Sequence, residues 1–161
     1  MDRHIYWLEL AYKYAQKSLD TRTQNGAVIV AQNHLIGWGY NDIDIRNGIK
    51  DLPERRIHPL KDDYTIHAEQ AAIFDAAQNG FSTYDATMYA PWMACLPCAR
   101  AIVASGINKV VCHECVFHDR KDWAESIAKG MAYLEEAWVE IVKVKHLFNM
   151  TIRFNGEEVV V

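Results

Sequence analysis

Apolar positions recur at helical spacing over the first twenty residues. Ile5, Leu8, Tyr12, Ala15 and Leu19 follow a three-four rhythm that predicts an amphipathic helix ending near Asp20. The stretch GAVIVAQNHLIGWGY (26–40) then predicts two short strands about a polar Gln32-Asn33-His34 turn. From Asn41 to Asp63 the periodicity is lost. That span is polar, contains Pro53, Pro59 and the basic pair Arg55-Arg56, and is long enough for a loop to suggest function. Helical spacing returns over 66–79, with Thr65 as the candidate cap and Gly80 as the stop. Strand-like runs follow at 86–90, 108–113 and 138–144, separated by helix-like segments at 95–106 and 122–137. The tail, TIRF…EEVVV, predicts a terminal hairpin about Asn155-Gly156. Helix alternating with strand favours an α/β layered sheet, and no repeat interrupts it.

Composition narrows the picture. The 161 residues are 50% hydrophobic and 24% charged, which suits one domain over residues 1–161 with a sizeable core. A formal net charge of −4 gives no electrostatic case for a polyanion, so no nucleic-acid partner is expected. The N-terminal MDRHIYWLELAYKYAQ lacks the basic-then-apolar layout of a secretory signal, and the apolar runs are too short to cross a bilayer, so no membrane is expected. The four cysteines, at 95, 98, 112 and 115, form two C-x-x-C pairs. Without a signal, a reducing, cytoplasmic compartment is the expectation.

Candidate chemistry gathers in two stretches, IHAEQAAIFDAAQNG (66–80) and YAPWMACLPCARAI (89–102). Cys95 and Cys98 are three apart at a helix start, so both sulfurs can share a face, where the helix N-terminus favours thiolate. Two thiolates and the imidazole of His67 make three good zinc ligands, with a fourth tetrahedral position open. Glu69 would then be a proton shuttle and not a ligand. Residues two apart on a regular helix diverge by roughly 200°, so His67 and Glu69 can share a cavity only at the first, irregular turn. A lone histidine would read as a satisfied core residue; the combination with Glu69 and the 95/98 pair changes that. Cys112 and Cys115, with His113 or His118, could hold a second zinc, but free buried cysteines are the preferred reading. Trp92 reads equally as a stacking surface for a ring or as a plain wall. Arg46, Arg55, Arg56 and Lys61 are candidates for a phosphate, against the plainer reading of solvated loop charge. Tyr6, Trp7, Tyr12 and Tyr14 read as packing or subunit contacts.

H-x-E followed by C-x-x-C is the signature of zinc deaminases. Through GAVIV, GWGYN, YTIHAEQAAIFDAAQNG, ATMYAPWMACLPCARAIVASGINKVV and the late W-x-x-S…G…L-E-E-A, the chain resembles the cytidine and deoxycytidylate deaminase superfamily over residues 20–142, its deoxycytidylate (dCMP) branch above all. The resemblance implies a three-layer α/β/α sandwich with a mixed sheet of about five strands. It implies one zinc held by His67, Cys95 and Cys98, Glu69 as general acid/base, and base or sugar contacts from Asn41 and the Ala68 N–H. It also implies hydrolytic deamination of dCMP to dUMP and ammonia. The alternatives are another small cytosine compound (cytidine, cytosine or dCTP), an RNA adenosine substrate, or a catalytically silent zinc-stabilised nucleotide-binding protein. Relatives form homo-oligomers, and some are regulated by a nucleotide with magnesium. Departures from the family are Ala94 where a proline usually precedes the first cysteine, Asp42 where glycine often follows GYN, and Ala71 where asparagine is often found.

Overall fold

The computed structural model describes residues 2–114 and 121–161. Helix α1 (Arg3–Ala15) opens at Asp2, whose carboxylate accepts the His4 N–H as an N-cap. Strands β1 (Gly26–Ala31) and β2 (His34–Tyr40) form the predicted hairpin. Its turn is two residues long, Gln32 and Asn33, with φ of 48° and 65°, the left-handed pair that matches strand twist. The polar span after Asn41 is built from short pieces: strand β3 (Asp42–Ile43), single helical turns, helix α2 (Leu60–Tyr64) and strand β4 (Thr65–Ile66), which pairs back on β3. Helix α3 (Ala68–Gln78), strand β5 (Thr87–Ala90), helix α4 (Leu96–Ala104) and strand β6 (Lys109–His113) follow. Then come helix α5 (Lys121–Glu136), strand β7 (Glu140–Val144) and the terminal hairpin of β8 (Thr151–Phe154) and β9 (Glu157–Val160).

Five strands make one mixed sheet in the order β2-β1-β5-β6-β7. β1 runs antiparallel to β2 and β5, whereas β5, β6 and β7 are parallel, so α4 and α5 serve as the crossovers that parallel pairs require. Period-two alternation sends the two faces of each strand to different layers. Ala27, Ile29, Met88, Ala90, Val110 and Cys112 pack with residues of α3, α4 and α5, while Val28, Val30, Tyr89 and Val111 pack with Trp7, Leu8 and Ala11 of α1. The result is the expected α/β/α sandwich. Among the described residues no helix is long and apolar enough to cross a membrane.

Two glycines of GWGY let α3 lie close on β2. A Cβ at Gly39 would come within 2.6 Å of the Ala71 Cβ and 2.6 Å of the Ala72 N, and one at Gly37 within 2.5 Å of the Ala72 carbonyl oxygen. The small residues Ala68, Ala71, Ala72 and Ala76 form the matching buried face of the helix. This close seat fixes where α3 begins, and so where His67 is held. Gly39→Val is therefore expected to destabilise the fold by about 3 kcal/mol or more, because the clash is with helix backbone that cannot yield alone. A thermal or urea unfolding curve indistinguishable from that of the parent would contradict it.

Thr65 is not the cap of α3. It is taken into the β3–β4 pair opposite Ile43, and the N-cap is His67 itself, with extended backbone (φ −76°, ψ 151°). Short-range signals favour threonine as a cap, but the pairing with β3 keeps the chain extended for two further residues.

Candidate active site

Two helices begin at one place. His67 is the N-cap of α3 and Cys95 the N-cap of α4, both with extended backbone, and Glu69 and Cys98 lie in the first turns behind them. The loop before α4 follows the C-terminal end of β5, the edge of a parallel sheet where open α/β folds place their ligands. Being outside the helix, His67 is freed from the 200° divergence that would otherwise part it from Glu69.

The imidazole Nδ1 of His67 is 3.4 Å from the Cys95 Sγ and 3.3 Å from the Cys98 Sγ. These ligand atoms all lie within 4.8 Å of one another, and they form the sole such grouping of His, Cys, Asp or Glu among the described residues. Zinc–sulfur and zinc–nitrogen bonds of about 2.3 and 2.0–2.1 Å place tetrahedral ligands some 3.5–3.8 Å apart, so the donor set fits a zinc ion in size as well as type. Electrostatics point the same way. Cys95 is pushed down to about 4, foremost by its hydrogen bond with Cys98 and then by His67, while Cys98 is pushed up by the same pair. Two sulfurs this close cannot both ionise comfortably without a cation between them, and two helix N-termini add their partial positive charge.

Glu69 is 4% exposed. Burial raises its carboxyl above the ordinary range, the Cys95 charge adds to this, and His67 opposes it. A carboxyl shifted upward toward neutrality is suited to taking and returning a proton.

His67, Glu69 and Cys95 line a cavity of about 630 Å³, within the range of small-molecule sites, and Cys98 lies buried behind them. Asn41, Ala68 and Trp92, the three substrate contacts expected from the sequence, all line it. Asn41 is largely engaged within the protein: its Nδ2 donates to the Thr23 carbonyl at 2.7 Å and to Asp20 at 3.4 Å, and its Oδ1 accepts the Asn25 N–H at 2.6 Å. As the first residue of α3, Ala68 has an N–H with no partner inside the helix. Trp92 packs its ring at 4.6 Å from Phe154, so the terminal hairpin backs the cavity wall.

Of the four basic loop candidates, Lys61 alone lines the cavity, ion-paired to Asp20 at 2.7 Å. Arg46 lies over Trp38 and pairs with Asp75, Arg55 lies over Tyr64, and Arg56 bridges Asp42 and Asp51. These three brace the loop. Asp42, the departure after GYN, is buried and accepts the Leu19 N–H besides Arg56. Cys112 is fully buried in β6, and the ring of His113 bonds the Tyr12 hydroxyl and the His146 carbonyl; Cys115 and His118 fall outside the described residues.

Trp123 and Ser126 enter from the sequence only as the W-x-x-S of the resemblance, with no role at the site assigned to either. The Trp123 ring meets His67 edge-on at 5.8 Å, and the Ser126 Oγ accepts the Leu96 N–H at 3.2 Å, tying α5 to the start of α4. Both residues line the cavity. Helical spacing of W-x-x-S in an amphipathic segment was the available signal, but it reads equally as packing. Arg22, Asn25 and His58 were missed as well, and also line the cavity.

A mixed sheet with a His-Cys-Cys donor set and a buried carboxyl at converging helix starts defines a zinc deaminase fold, and the family comparison agrees. The model of the cytidine and deoxycytidylate deaminase zinc-binding region matches residues 1–114, and the chain belongs to that family. It is similar to the human deoxycytidylate deaminase, with 36% identity over 121 residues, 71% of this chain and 66% of the relative, slightly under two thirds of that protein's length. A tRNA-specific adenosine deaminase of Buchnera aphidicola shares 29% identity over 113 residues, 68% of this chain and 65% of that one. The crystal structure of dCMP deaminase from the cyanophage S-TIM5 in apo form superposes with a TM-score of 0.69 at 20% identity, covering 89% of this chain and all of that one. At that identity the likeness carries the fold.

Proposed function

We propose that the chain is a zinc-dependent hydrolase converting dCMP and water to dUMP and ammonia. The observation that carries the proposal is the grouping of His67, Cys95 and Cys98, with His67, Cys95 and the buried Glu69 lining a nucleotide-sized cavity. The choice of dCMP is supported by the human relative, and by the crystal structure of the same cyanophage enzyme in complex with dCMP and dUMP. Arg22 and Lys61 line the same cavity as Asp20 and Asp62 and are the cations within reach of a substrate with an anionic end, Lys61 by leaving its ion pair with Asp20.

His67, Cys95 and Cys98 are the residues that would hold zinc. When bound there, zinc supplies a Lewis acid that makes water a nucleophile near neutral pH. Glu69 takes the proton that water loses as its oxygen adds to C4 of the pyrimidine, and delivers it to the ring nitrogen N3. It then carries the hydroxyl proton to the amino group; the C4–N4 bond breaks, ammonia leaves and the carbonyl of uracil remains. The Ala68 N–H faces the base as a donor at the head of α3. Trp92 and Trp123 are the aromatic walls available to the base, and by narrowing the cavity they exclude bulk water.

Ammonia release measured across dCMP, CMP, deoxycytidine, cytosine, dCTP and oligonucleotides tests the proposal. The highest kcat/KM is expected for dCMP. Preference for a free base or for an oligonucleotide would refute it.

A further inference from the structure

Asn25 lines the same cavity and carries an amide oxygen, Oδ1, that is buried without a hydrogen-bond partner. Most buried polar atoms are paired, so an orphan at a ligand cavity calls for a group that completes it. We infer that Asn25 is a specificity-determining residue, and that the orphaned amide end takes a hydroxyl of the substrate's sugar. The inference rests on the nucleotide reading above.

Placement comes first. The Asn41 N–H donates to the Asn25 carbonyl at 3.1 Å, and the Asn25 N–H donates to the Asn41 Oδ1. Asn41 precedes Asp42, which pairs with Ile66, the residue before His67. Asn25, Asn41 and His67 thus lie on three neighbouring segments, with Asn25 on the order of 10 Å from His67, two strand spacings away. That is too far for the reacting carbon and suits the sugar.

Chemistry then selects the group. An orphan oxygen needs a donor. A deoxycytidine nucleotide offers two kinds, its exocyclic amine and its sugar hydroxyl, and the amine is committed to the metal wall where it departs. Phosphate and the base carbonyl are acceptors and leave Oδ1 unpaired. A hydroxyl both donates and accepts, so it pairs with the amide whichever way the side-chain oxygen and nitrogen are turned. Competing groups nearby are already engaged. Both amide protons of Asn41 go to Thr23 and Asp20, Lys61 is held by both oxygens of Asp20, and Arg22 donates to Asn155.

The test pairs an altered enzyme with an altered substrate. The zinc-loaded protein and its Asn25→Val variant are assayed on dCMP and on 2′,3′-dideoxy-CMP, and titrated calorimetrically with dUMP and 2′,3′-dideoxy-UMP. The parent is expected to favour the hydroxylated member of each pair about tenfold, the worth of one such hydrogen bond. The variant is expected to lose that preference while handling the dideoxy compounds like the parent. Asn25→Asp, which keeps an acceptor, is expected to retain part of it. Equal losses on both substrates, or no preference in the parent, would overturn the assignment, and a parent without preference refutes it even if a variant fails to fold. A parent that deaminates neither nucleotide would instead overturn the nucleotide reading.

Discussion

Glu69→Gln is expected to lower kcat on dCMP by about 10³-fold or more while one zinc per chain is retained. General acid–base catalysis contributes about 10²–10⁴-fold for a single transfer, and here one side chain serves two transfers in succession. Glutamine keeps the volume and polarity of a residue that is 4% exposed, so the fold has little reason to change. Stability is expected to hold or rise, because burial already disfavours the charged form of the native carboxyl. Metal content by atomic spectroscopy, an unfolding curve and a steady-state assay on one preparation give the three readings. Activity within tenfold of the parent would remove Glu69 from the proposed mechanism. Loss of zinc would show instead that the carboxylate is a ligand, and the opening between the two helices would then not be where water is activated.

Cys98→Ala is expected to abolish measurable turnover and zinc retention together. It removes one of three donors from a set with 3.3 and 3.4 Å nitrogen–sulfur separations, and a two-donor remnant holds zinc weakly. Cys98 is fully buried in the core cluster shared by α3, α4 and α5, so a loss of stability accompanies the loss of metal. Chelation of the parent should reproduce the activity loss, and added zinc should reverse it in the parent and not in the variant. Acid should act as a mild chelator: the sulfur ligands bind deprotonated, so protons compete, and affinity falls as pH is lowered. A Cys98→Ala protein that keeps stoichiometric zinc would place the metal elsewhere.

Much of the fold was legible because local rules and tertiary packing agree. The three-four spacing in α1 holds as far as Ala15, where Leu8, Tyr12 and Ala15 are buried against the sheet and the terminal hairpin; the helix stops there, short of the expected end near Asp20, and Leu19 is exposed beyond it. Asn33, Asn155 and Gly156 are residues that tolerate positive φ, and both hairpins turn at them, with Gln32 held at positive φ beside Asn33. The exact start of α3 was not legible. Thr65 has the chemistry of a cap, but its pairing with Ile43 is a contact more than twenty residues distant in the chain.

The candidate site divides along the same line. Residue type and spacing alone nominated His67, Glu69, Cys95 and Cys98, because few chemistries use that donor set with a carboxyl two residues from the imidazole. Which loop cations reach the cavity could not be read from the sequence. Arg46, Arg55, Arg56 and Lys61 are alike as letters, and it is partners far along the chain, Asp75 for Arg46 and Asp20 for Lys61, that sort them. Trp123 and Asn25 became cavity residues only through the packing of α5 on α4 and the pairing of Asn25 with Asn41.

Sequence by itself determined the reactive groups and the elements that carry them, since donor chemistry and hydrophobic period are properties of residues and near neighbours. Tertiary structure decided which helix starts meet, which charges are spent on bracing, and which amide is left without a partner. Those outcomes depend on distances between segments remote in the chain, which no local pattern encodes.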